Sequence, residues 1–318
     1  MQFDVFNGDA DGLCALLQLR LAKPAETTLI TGVKRDNELL SCVTAHSGDE
    51  VTVLDISLAK NRSALDKLLQ QGASVFYVDH HLAGEIPEHS LLKTIINCDP
   101  DICTSLLIDD YLNGQYRAWA VVGAFGDNLT DIAMQTARSI SLSNGQLNEL
   151  QQLGVCINYN SYGSCLADLH FTPDWLYREA SPYATPMAFI HDKPDIFQQL
   201  IAAYTDDLAV ALAIQPEYQS NRIAVYILPE TAWARRVSGV LGNELANQYP
   251  ERAHAILTFT TLGDYQISVR APLTNKTGAD TLCSAFPTGG GRQSAAGINH
   301  LPIEQLSTFI NAFIKHFR

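Results

Sequence analysis

Residues 3–12 read Phe-Asp-Val-Phe-Asn-Gly-Asp-Ala-Asp-Gly, a short apolar run that stops at a group of polar residues. Similar runs at 51–54 and 74–78 stop at Asp55 and at Asp79-His80-His81. Helical patterns lie between these runs, and strands that alternate with helices at this spacing predict βαβ units and an α/β fold with a largely parallel sheet. Ligands of open parallel sheets bind beyond the carboxyl ends of the strands, so the pattern predicts a site at that edge.

The length of 318 residues predicts two domains, because a single hydrophobic core seldom grows beyond about 250–300 residues. Four prolines between residues 172 and 194 mark the expected connection. We therefore expect a first domain at 1–180, a linker at 181–195 and a second domain at 196–318. The second half is predicted to be mixed α/β, with helices near 196–213 and 233–248, strands at 223–228, 255–261 and 266–270, and a turn at 262–264.

The composition argues against several classes of protein. A formal net charge of −13 argues against a protein that binds long duplex nucleic acid by neutralising phosphates. Seven cysteines without a CxxC pair fit reduced thiols in a cytoplasm better than a disulfide framework. Because no apolar run is long enough for a membrane span and the first residues lack a basic region, we expect a cytoplasmic protein with no membrane partner.

The polar residues at the strand ends predict a metal site. Asp9, Asp11, Asp55 and His80 come from three strand ends, and Asp127 follows a helix-like run toward the same place. Carboxylates this close repel one another unless a cation is present. Hard oxygen ligands with an imidazole suit Mn²⁺ or Mg²⁺, and so many ligands favour a pair of ions about 3.5–4 Å apart, the arrangement used for phosphoryl hydrolysis.

Each of these residues also has an ordinary structural explanation. Asp9 and Asp11 could be turn or N-cap residues, and Asp55 could cap the helix that begins near Leu58. Asp127 by itself could be a loop residue. The metal interpretation depends on their joint occurrence at successive strand ends.

Several motifs resemble those of a known family. Residues 6–12, Leu54-Asp55-Ile56, Val78-Asp79-His80-His81 and Gly126-Asp127 resemble, in order, motifs I to IV of the DHH phosphoesterases. Residues 289–297, GGGRQSAAG, resemble the GGGH-containing signature of the associated DHHA1 domain. The resemblance covers nearly the whole chain. It implies a parallel-sheet DHH domain with helices on both faces, a smaller mixed α/β DHHA1 domain and an active site in the cleft between them.

The resemblance also implies roles by matching position. The metal ligands would be Asp9, Asp11, Asp55, His80 and Asp127, with Asp55 as the bridge. Asp79 would orient a metal-bound imidazole, and His81 would donate to the substrate phosphate. The catalytic residues are thus expected to be His81, Asp79 and Asp11, and the cofactor two Mn²⁺ ions, with Mg²⁺ or Co²⁺ as substitutes.

The expected substrate-binding residues are Asn7, Arg270, Gly289, Gly290, Gly291 and Arg292. Successive glycines let backbone N–H groups close on phosphate oxygens, although a flexible linker is the alternative. Arg270 ends a predicted strand, where a surface charge is equally common. Two residues depart from the family pattern. Asn7 stands where relatives carry an Asp or another ligand, which predicts a weaker ligand set for one ion, and Arg292 replaces a His with a bidentate phosphate donor.

These features predict an Mn²⁺-dependent phosphodiesterase or exonuclease that hydrolyses short linear nucleotides to 5′-mononucleotides. Dinucleotides such as pGpG and nano-RNA are the expected substrates by resemblance to short two-domain relatives. A RecJ-like enzyme acting on long single strands would need a basic channel, which the negative charge disfavours. The alternatives are a 3′-phosphoadenosine 5′-phosphate phosphatase, a cyclic-dinucleotide phosphodiesterase and, in a different class, a non-catalytic nucleotide sensor. A short nucleotide is the expected partner, with a possible homodimer.

Overall fold

The computed structural model describes residues 1–260 and 263–317. They divide into two compact units, the first formed by Met1–Ser161 and Cys165–Ala202, the second by Tyr162–Ser164 and the chain from Ala203 onward. None of the helices in these described ranges is long and apolar enough to cross a membrane.

The first unit contains a five-stranded sheet in the order β2–β1–β3–β4–β5, and all of its strand pairs are parallel. The strands are β1 (Gln2–Phe6), β2 (Thr28–Ile30), β3 (Glu50–Leu54), β4 (Ser74–Asp79) and β5 (Leu92–Ile96). The helices are α1 (Ala10–Ala22), α2 (Leu58–Gln70), α3 (Thr104–Tyr111), α4 (Arg117–Gly126), α5 (Thr130–Ala137), α6 (Asn144–Ser161), α7 (Pro173–Ala180) and α8 (Pro186–Asp192), and α9 (Pro194–Leu212) crosses the unit boundary. The α/β class with a parallel sheet is therefore as predicted.

Helices cover both faces of this sheet. Leucines of α2, such as Leu65 and Leu68, share one core with Val53 and Tyr77 of the strands. On the other face, Arg20 of α1 bonds to Asp4 of β1. The ring of Tyr111 in α3 also meets Phe76 of β4 on that face. Because successive side chains of a strand alternate between faces, α2 packs on one side and α1 and α3 on the other.

The second unit contains a mixed six-stranded sheet in the order β10–β11–β9–β8–β7–β6. Only β7 and β8 pair in parallel among the described strand pairs. Its elements are β6 (Tyr218–Gln219), β7 (Ile223–Leu228), α10 (Ala232–Gln248), β8 (Ala253–Phe259), β9 (Asp264–Arg270), α11 (Ala279–Ser284), β10 (Gly289–Gly291), β11 (Ala295–Pro302) and α12 (Leu306–His316). Phe309 and Phe313 of α12 pack into its core. The end of the predicted strand at 261 and the first position of the predicted turn at 262–264 lie outside the described residues.

The proline-rich segment differs from the sequence-based expectation. Pro173, Pro186 and Pro194 are the first residues of α7, α8 and α9. The predicted linker at 181–195 therefore includes a whole helix, α8. The physical reason is that proline suits the first helical position, where its missing N–H has no intrahelical partner and its fixed φ matches the helix. Three of the four prolines in this segment thus begin helices, and Pro182 lies in the turn after α7.

Candidate metal centre

Four acidic or imidazole side chains meet at the carboxyl edge of the parallel sheet. His80 Nε2 lies 3.3 Å from Asp55 Oδ1, 3.8 Å from Asp11 Oδ2 and 3.9 Å from Asp127 Oδ2. These atoms come from the end of β3, the end of β4, the start of α1 and the end of α4. All four side chains are at most 6% exposed. The structure thus brings together the residues that the sequence predicts as ligands around the imidazole.

Asp55 lies at the most crowded point of this cluster. Its φ of +60° is unusual for a residue other than glycine, and it turns the chain at the end of β3. Burial raises the pKa of the Asp55 carboxyl well above its usual value, and the surrounding carboxylates of Asp9, Asp11, Asp127 and Asp79 raise it further. A cation at this place would relieve both effects, because it compensates a charge that water does not reach.

Asp11 is oriented by the first turn of α3. Its Oδ2 accepts a hydrogen bond from the backbone N–H of Thr104 at 2.8 Å, and its Oδ1 accepts one from Ser105 at 2.7 Å. The hydroxyl of Thr104 donates to Asp55 Oδ1 at 3.2 Å. Unpaired N–H groups and the helix dipole make such a turn a natural partner for an anion. Sequence reasoning did not identify this support.

Asp9 has two functions at once. Its Oδ1 accepts hydrogen bonds from the N–H groups of Asp11 and Gly12, each at 3.0 Å, so it is the N-cap of α1. Its Oδ2 bonds to the ammonium of Lys34. Burial raises the pKa of Asp9, but the charge of Lys34 and the hydrogen bonds to Asp9 outweigh burial, and the net pKa is lowered. The N-cap explanation is therefore correct, and it does not remove Asp9 from the cluster.

Lys34 belongs to the cluster although sequence reasoning did not identify it. Its Nζ lies 2.9 Å from Asn158 Oδ1 and 4.0 Å from Asp127 Oδ1, besides its bond to Asp9. The residue follows β2, which pairs with β1, so it reaches the same edge of the sheet. A polar segment directly after a strand was the available signal.

Asn7 is used inside the fold. Its Nδ2 donates to the carbonyl of Lys34 at 3.2 Å, and its Oδ1 accepts from the N–H of Asp9 at 3.2 Å. The Nδ2 end therefore connects the residue after β1 to the segment that carries Lys34, and the Oδ1 end holds the turn into α1. The predicted contact of Asn7 with substrate stays a prediction.

The two histidines have different partners from those expected. His80 Nδ1 contacts the carbonyl of Ile102 at 3.0 Å, and His81 Nδ1 contacts Asp79 Oδ1 at 2.7 Å. The Asp79 carboxylate thus contacts His81 and not the ring of His80, and its role in orienting a metal-bound imidazole stays a prediction. Burial raises the pKa of Asp79, but the charge and hydrogen bond of His81 outweigh it, and the net pKa is lowered.

The residues of this cluster fit a divalent metal. The contact of His80 Nδ1 with a carbonyl places a proton on Nδ1, so Nε2 carries the lone pair that a metal needs. Potential ligand atoms of Asp55, His80 and His81 all lie within 4.8 Å of one another. Asp79 Oδ2 is buried and has no hydrogen-bond partner within the part of the chain that is described. Oxygen donors with an imidazole are the set that Mn²⁺ accepts.

The other predicted substrate-binding residues lie in the second unit. Arg270 donates to Asn243 Oδ1 at 2.6 Å, to Ser268 Oγ and the carbonyl of Val269, and to the carbonyl of Gly239. These bonds use four of the five N–H donors of a guanidinium. Arg270 thus connects β9 to α10, and its contact with substrate stays a prediction.

The triple glycine forms a strand. Gly289, Gly290 and Gly291 are β10, an edge strand that pairs with β11. A Cβ at Gly289 would lie 1.9 Å from the carbonyl oxygen of Cys283, whereas one at Gly290 would meet nothing within 4 Å. Arg292 follows in the tight turn to β11, where its N–H donates to the carbonyl of Ala295 at 2.8 Å. Gly291 has a φ of +144°, and a Cβ there would lie 2.5 Å from the Cα of Ala296. Backbone conformation and close packing thus explain two of the three glycines without any ligand, and a phosphate contact stays a prediction for them and for Arg292.

Comparison with known proteins identifies the fold. No protein-family model and no curated protein matches the sequence. A structure described as a DHH-domain member of the S1p family of ribosomal proteins has a TM-score of 0.70 at 15% identity, over 99% of this chain and 85% of that one. Exonuclease RecJ bound to manganese has a TM-score of 0.61 at 16% identity, over 98% and 88%. RecJ from Thermus thermophilus with Mn²⁺ has 0.64 at 19% identity, over 98% of this chain and 51% of that one. The chain therefore has the fold of DHH-domain proteins.

Proposed function

We propose that the chain is a DHH-family, divalent-metal-dependent phosphodiesterase that hydrolyses short linear nucleotides, such as pGpG and nano-RNA, to 5′-mononucleotides. The observation that carries the proposal is the position of His80 Nε2, within 4 Å of carboxylate oxygens of three aspartates whose side chains are at most 6% exposed. The fold supports it, because two solved proteins of this fold are RecJ exonucleases with bound manganese.

Mn²⁺ is the proposed cofactor. Asp11, Asp55, Asp127 and His80 would hold one ion, and Asp9 with Asp55 would contact a second. Divalent cations bound there supply Lewis-acid chemistry, since they draw charge from a phosphoryl oxygen and lower the pKa of water. The first turn of α3 keeps Asp11 oriented for this role through its two N–H donors.

His81 is the proposed donor to the phosphate. Its side chain is 37% exposed, whereas that of Asp79 is fully buried. Asp79 contacts His81 Nδ1 at 2.7 Å, so a buried carboxylate fixes the orientation of the ring. His81 can therefore donate a proton or hydrogen bond to a phosphoryl oxygen as negative charge develops there.

The second unit would hold the remainder of the substrate. The guanidinium of Arg292 is permanently charged and can donate two hydrogen bonds to a phosphate. An edge strand such as β10 also has N–H and C=O groups on the side that faces no neighbouring strand. Most of the acidic excess lies in the first 189 residues. This negative charge disfavours binding of long polyanions more than binding of short ones. The proposed partner is thus a short nucleotide.

A substrate panel tests the proposal. The purified chain with Mn²⁺ is incubated with pGpG, pApA, cyclic dinucleotides, 3′-phosphoadenosine 5′-phosphate and pyrophosphate, and the products are separated by chromatography. We expect 5′-mononucleotides from the linear dinucleotides, no turnover in EDTA and none with His80→Ala. Lys67→Gln, a change at an exposed residue of α2, serves as the control that keeps activity. Faster turnover of one of the alternative substrates would reassign the enzyme, and no product from any compound would contradict the proposal.

A further inference from the structure

The two sides of the acidic cluster differ in whether the chain itself supplies a cation. On the side of His80, the carboxylate of Asp55 has no lysine or arginine partner among residues 1–260 and 263–317. On the other side, the ammonium of Lys34 bonds to Asp9 and lies 4.0 Å from Asp127 Oδ1. Asp127 thus faces His80 with one oxygen and Lys34 with the other. One side needs a cation and the other already has one.

Lys34 is held in this position at both ends. Its Nζ also contacts Asn158 Oδ1 of α6 at 2.9 Å. Its backbone N–H donates to the carbonyl of Ser161 at 2.9 Å, and its carbonyl accepts from Asn7 Nδ2 at 3.2 Å. Fixing a lysine side chain in one conformation costs conformational entropy. These contacts offset that cost. Here the fold positions the ammonium among the carboxylates.

Asn7 strengthens the distinction between the two sides. An aspartate at this position would add a further carboxylate beside Asp9 and would favour a second divalent ion. The amide instead adds no charge and donates to the segment that carries Lys34. Asn7, which lacks the negative charge, therefore donates a hydrogen bond to the backbone of Lys34, the residue that supplies the cation.

We propose that Lys34 occupies the second cation position of this centre, so that the chain binds one divalent ion tightly on the side of His80. A second ion binds only weakly, because it must either displace the ammonium from Asp9 or lie close to its positive charge. The inference rests on the proposed function only in that a divalent metal binds the cluster.

Metal stoichiometry tests this without any substrate. Mn²⁺ is titrated into the metal-free full chain by calorimetry, and bound Mn²⁺ is counted by electron paramagnetic resonance. For the wild type we expect one tight site and a second site at least about ten-fold weaker. Lys34→Gln removes the charge, so it should tighten the second site about ten-fold or more and add the spectrum of a coupled ion pair. Lys67→Gln is the matched control and should behave as the wild type.

Lys34→Arg separates charge from folding, since it keeps a cation at the same place and should keep the one-ion behaviour. Two equally tight sites in the wild type, unchanged in Lys34→Gln, would overturn the inference and leave the proposed function intact. Two tight sites in Lys34→Arg would also overturn it, because the charge would then not be the cause. No tight Mn²⁺ site in the folded wild type would overturn both.

Discussion

At the level of single residues, a change at Asp79 tests whether this carboxylate acts through His81, because it contacts His81 rather than His80. Asp79→Asn keeps the size of the side chain and removes the negative charge that contacts His81 Nδ1. We expect kcat to fall about 10–100-fold while Mn²⁺ affinity changes only a few-fold, as for other residues that orient a functional imidazole. Steady-state kinetics on a linear dinucleotide and Mn²⁺ calorimetry measure the two quantities.

His81→Gln is the companion variant. If Asp79 acts through His81, the double variant should be little worse than either single one, since the two residues form one interacting pair. A loss of Mn²⁺ affinity in Asp79→Asn larger than the loss in kcat would contradict this assignment. It would place Asp79 among the ligands, through its buried Oδ2.

The sequence predicts the members of the cluster better than their partners. Asp11, Asp55, His80 and Asp127 could be recognised because each follows or begins a regular element at one edge of a parallel sheet. Which histidine Asp79 contacts depends on side-chain rotamers after the strand has ended, and no spacing encodes them. Lys34 was missed for a similar reason, because its position depends on where a segment without regular pattern folds back.

At the level of elements, removing one N–H donor tests whether the first turn of α3 orients Asp11 for metal binding. Thr104→Pro keeps the helix, because proline suits the first helical position and Cys103 before it is already extended. The change removes the N–H that donates to Asp11 Oδ2 and the hydroxyl that donates to Asp55. We expect Mn²⁺ affinity to fall about ten-fold or more with little loss of helix, as measured by calorimetry and circular dichroism.

Thr104→Val is the control for that variant, because it removes the hydroxyl and keeps the N–H. Its effect on Mn²⁺ affinity should be clearly smaller than that of Thr104→Pro. Equal losses in both variants would mean that the hydroxyl matters and the helix N-terminus does not.

The triple glycine of β10 allows packing to be separated from substrate binding. Gly289→Ala places a Cβ against the carbonyl of Cys283, whereas the same change at Gly290 meets open space. We expect Gly289→Ala to lower the free energy of unfolding by about 1–3 kcal/mol and Gly290→Ala to change it little, as measured by urea denaturation.

Gly290→Ala also tests the predicted phosphate contact. With stability unchanged, a rise in KM for a dinucleotide would support the approach of a phosphate to this strand. An unchanged KM would contradict a role for the backbone at this position, and packing would then be the reason for glycine at 289.

The elements themselves follow closely from the sequence. The predicted strand at 223–228 and the predicted helix at 233–248 differ from the structure by at most one residue at either end, because hydrophobic period and element length agree there. The prolines at 173, 186 and 194 were misinterpreted, since proline both ends regular structure and begins helices. Only packing against the rest of the first unit decides between the two.

For the whole molecule, part of the excess of acidic residues can be traced to one cluster of side chains. Part of the net charge of −13 is concentrated in a buried cluster where like charges already raise the pKa of Asp55. Such a cluster is stable only with protons or cations, and Lys34 supplies one of them. The acidity that argues against binding of long nucleic acid would thus in part be the ligand set for the proposed metal, which would attract a short nucleotide.

The second unit has a separate source of pH dependence in His254 of β8. Its ring is fully buried, and neither ring nitrogen has a hydrogen-bond partner within the described part of the chain. Burial, and next the charge of Arg252, lower the pKa of His254 from 6.5 to about 4. Between these values the unfolded chain binds a proton that the folded chain does not, so the free energy of unfolding decreases as the pH falls from 6.5 toward 4.

We expect this residue to contribute about 3 kcal/mol to the loss of stability over that range, as measured by urea denaturation between pH 7 and pH 4. His254→Leu removes the titrating group and should flatten the dependence. His191→Leu, a change at a histidine with an exposed side chain, should leave the wild-type slope. The same slope in His254→Leu as in the wild type would show that His254 is not the cause, because a neutral leucine binds no proton in either state.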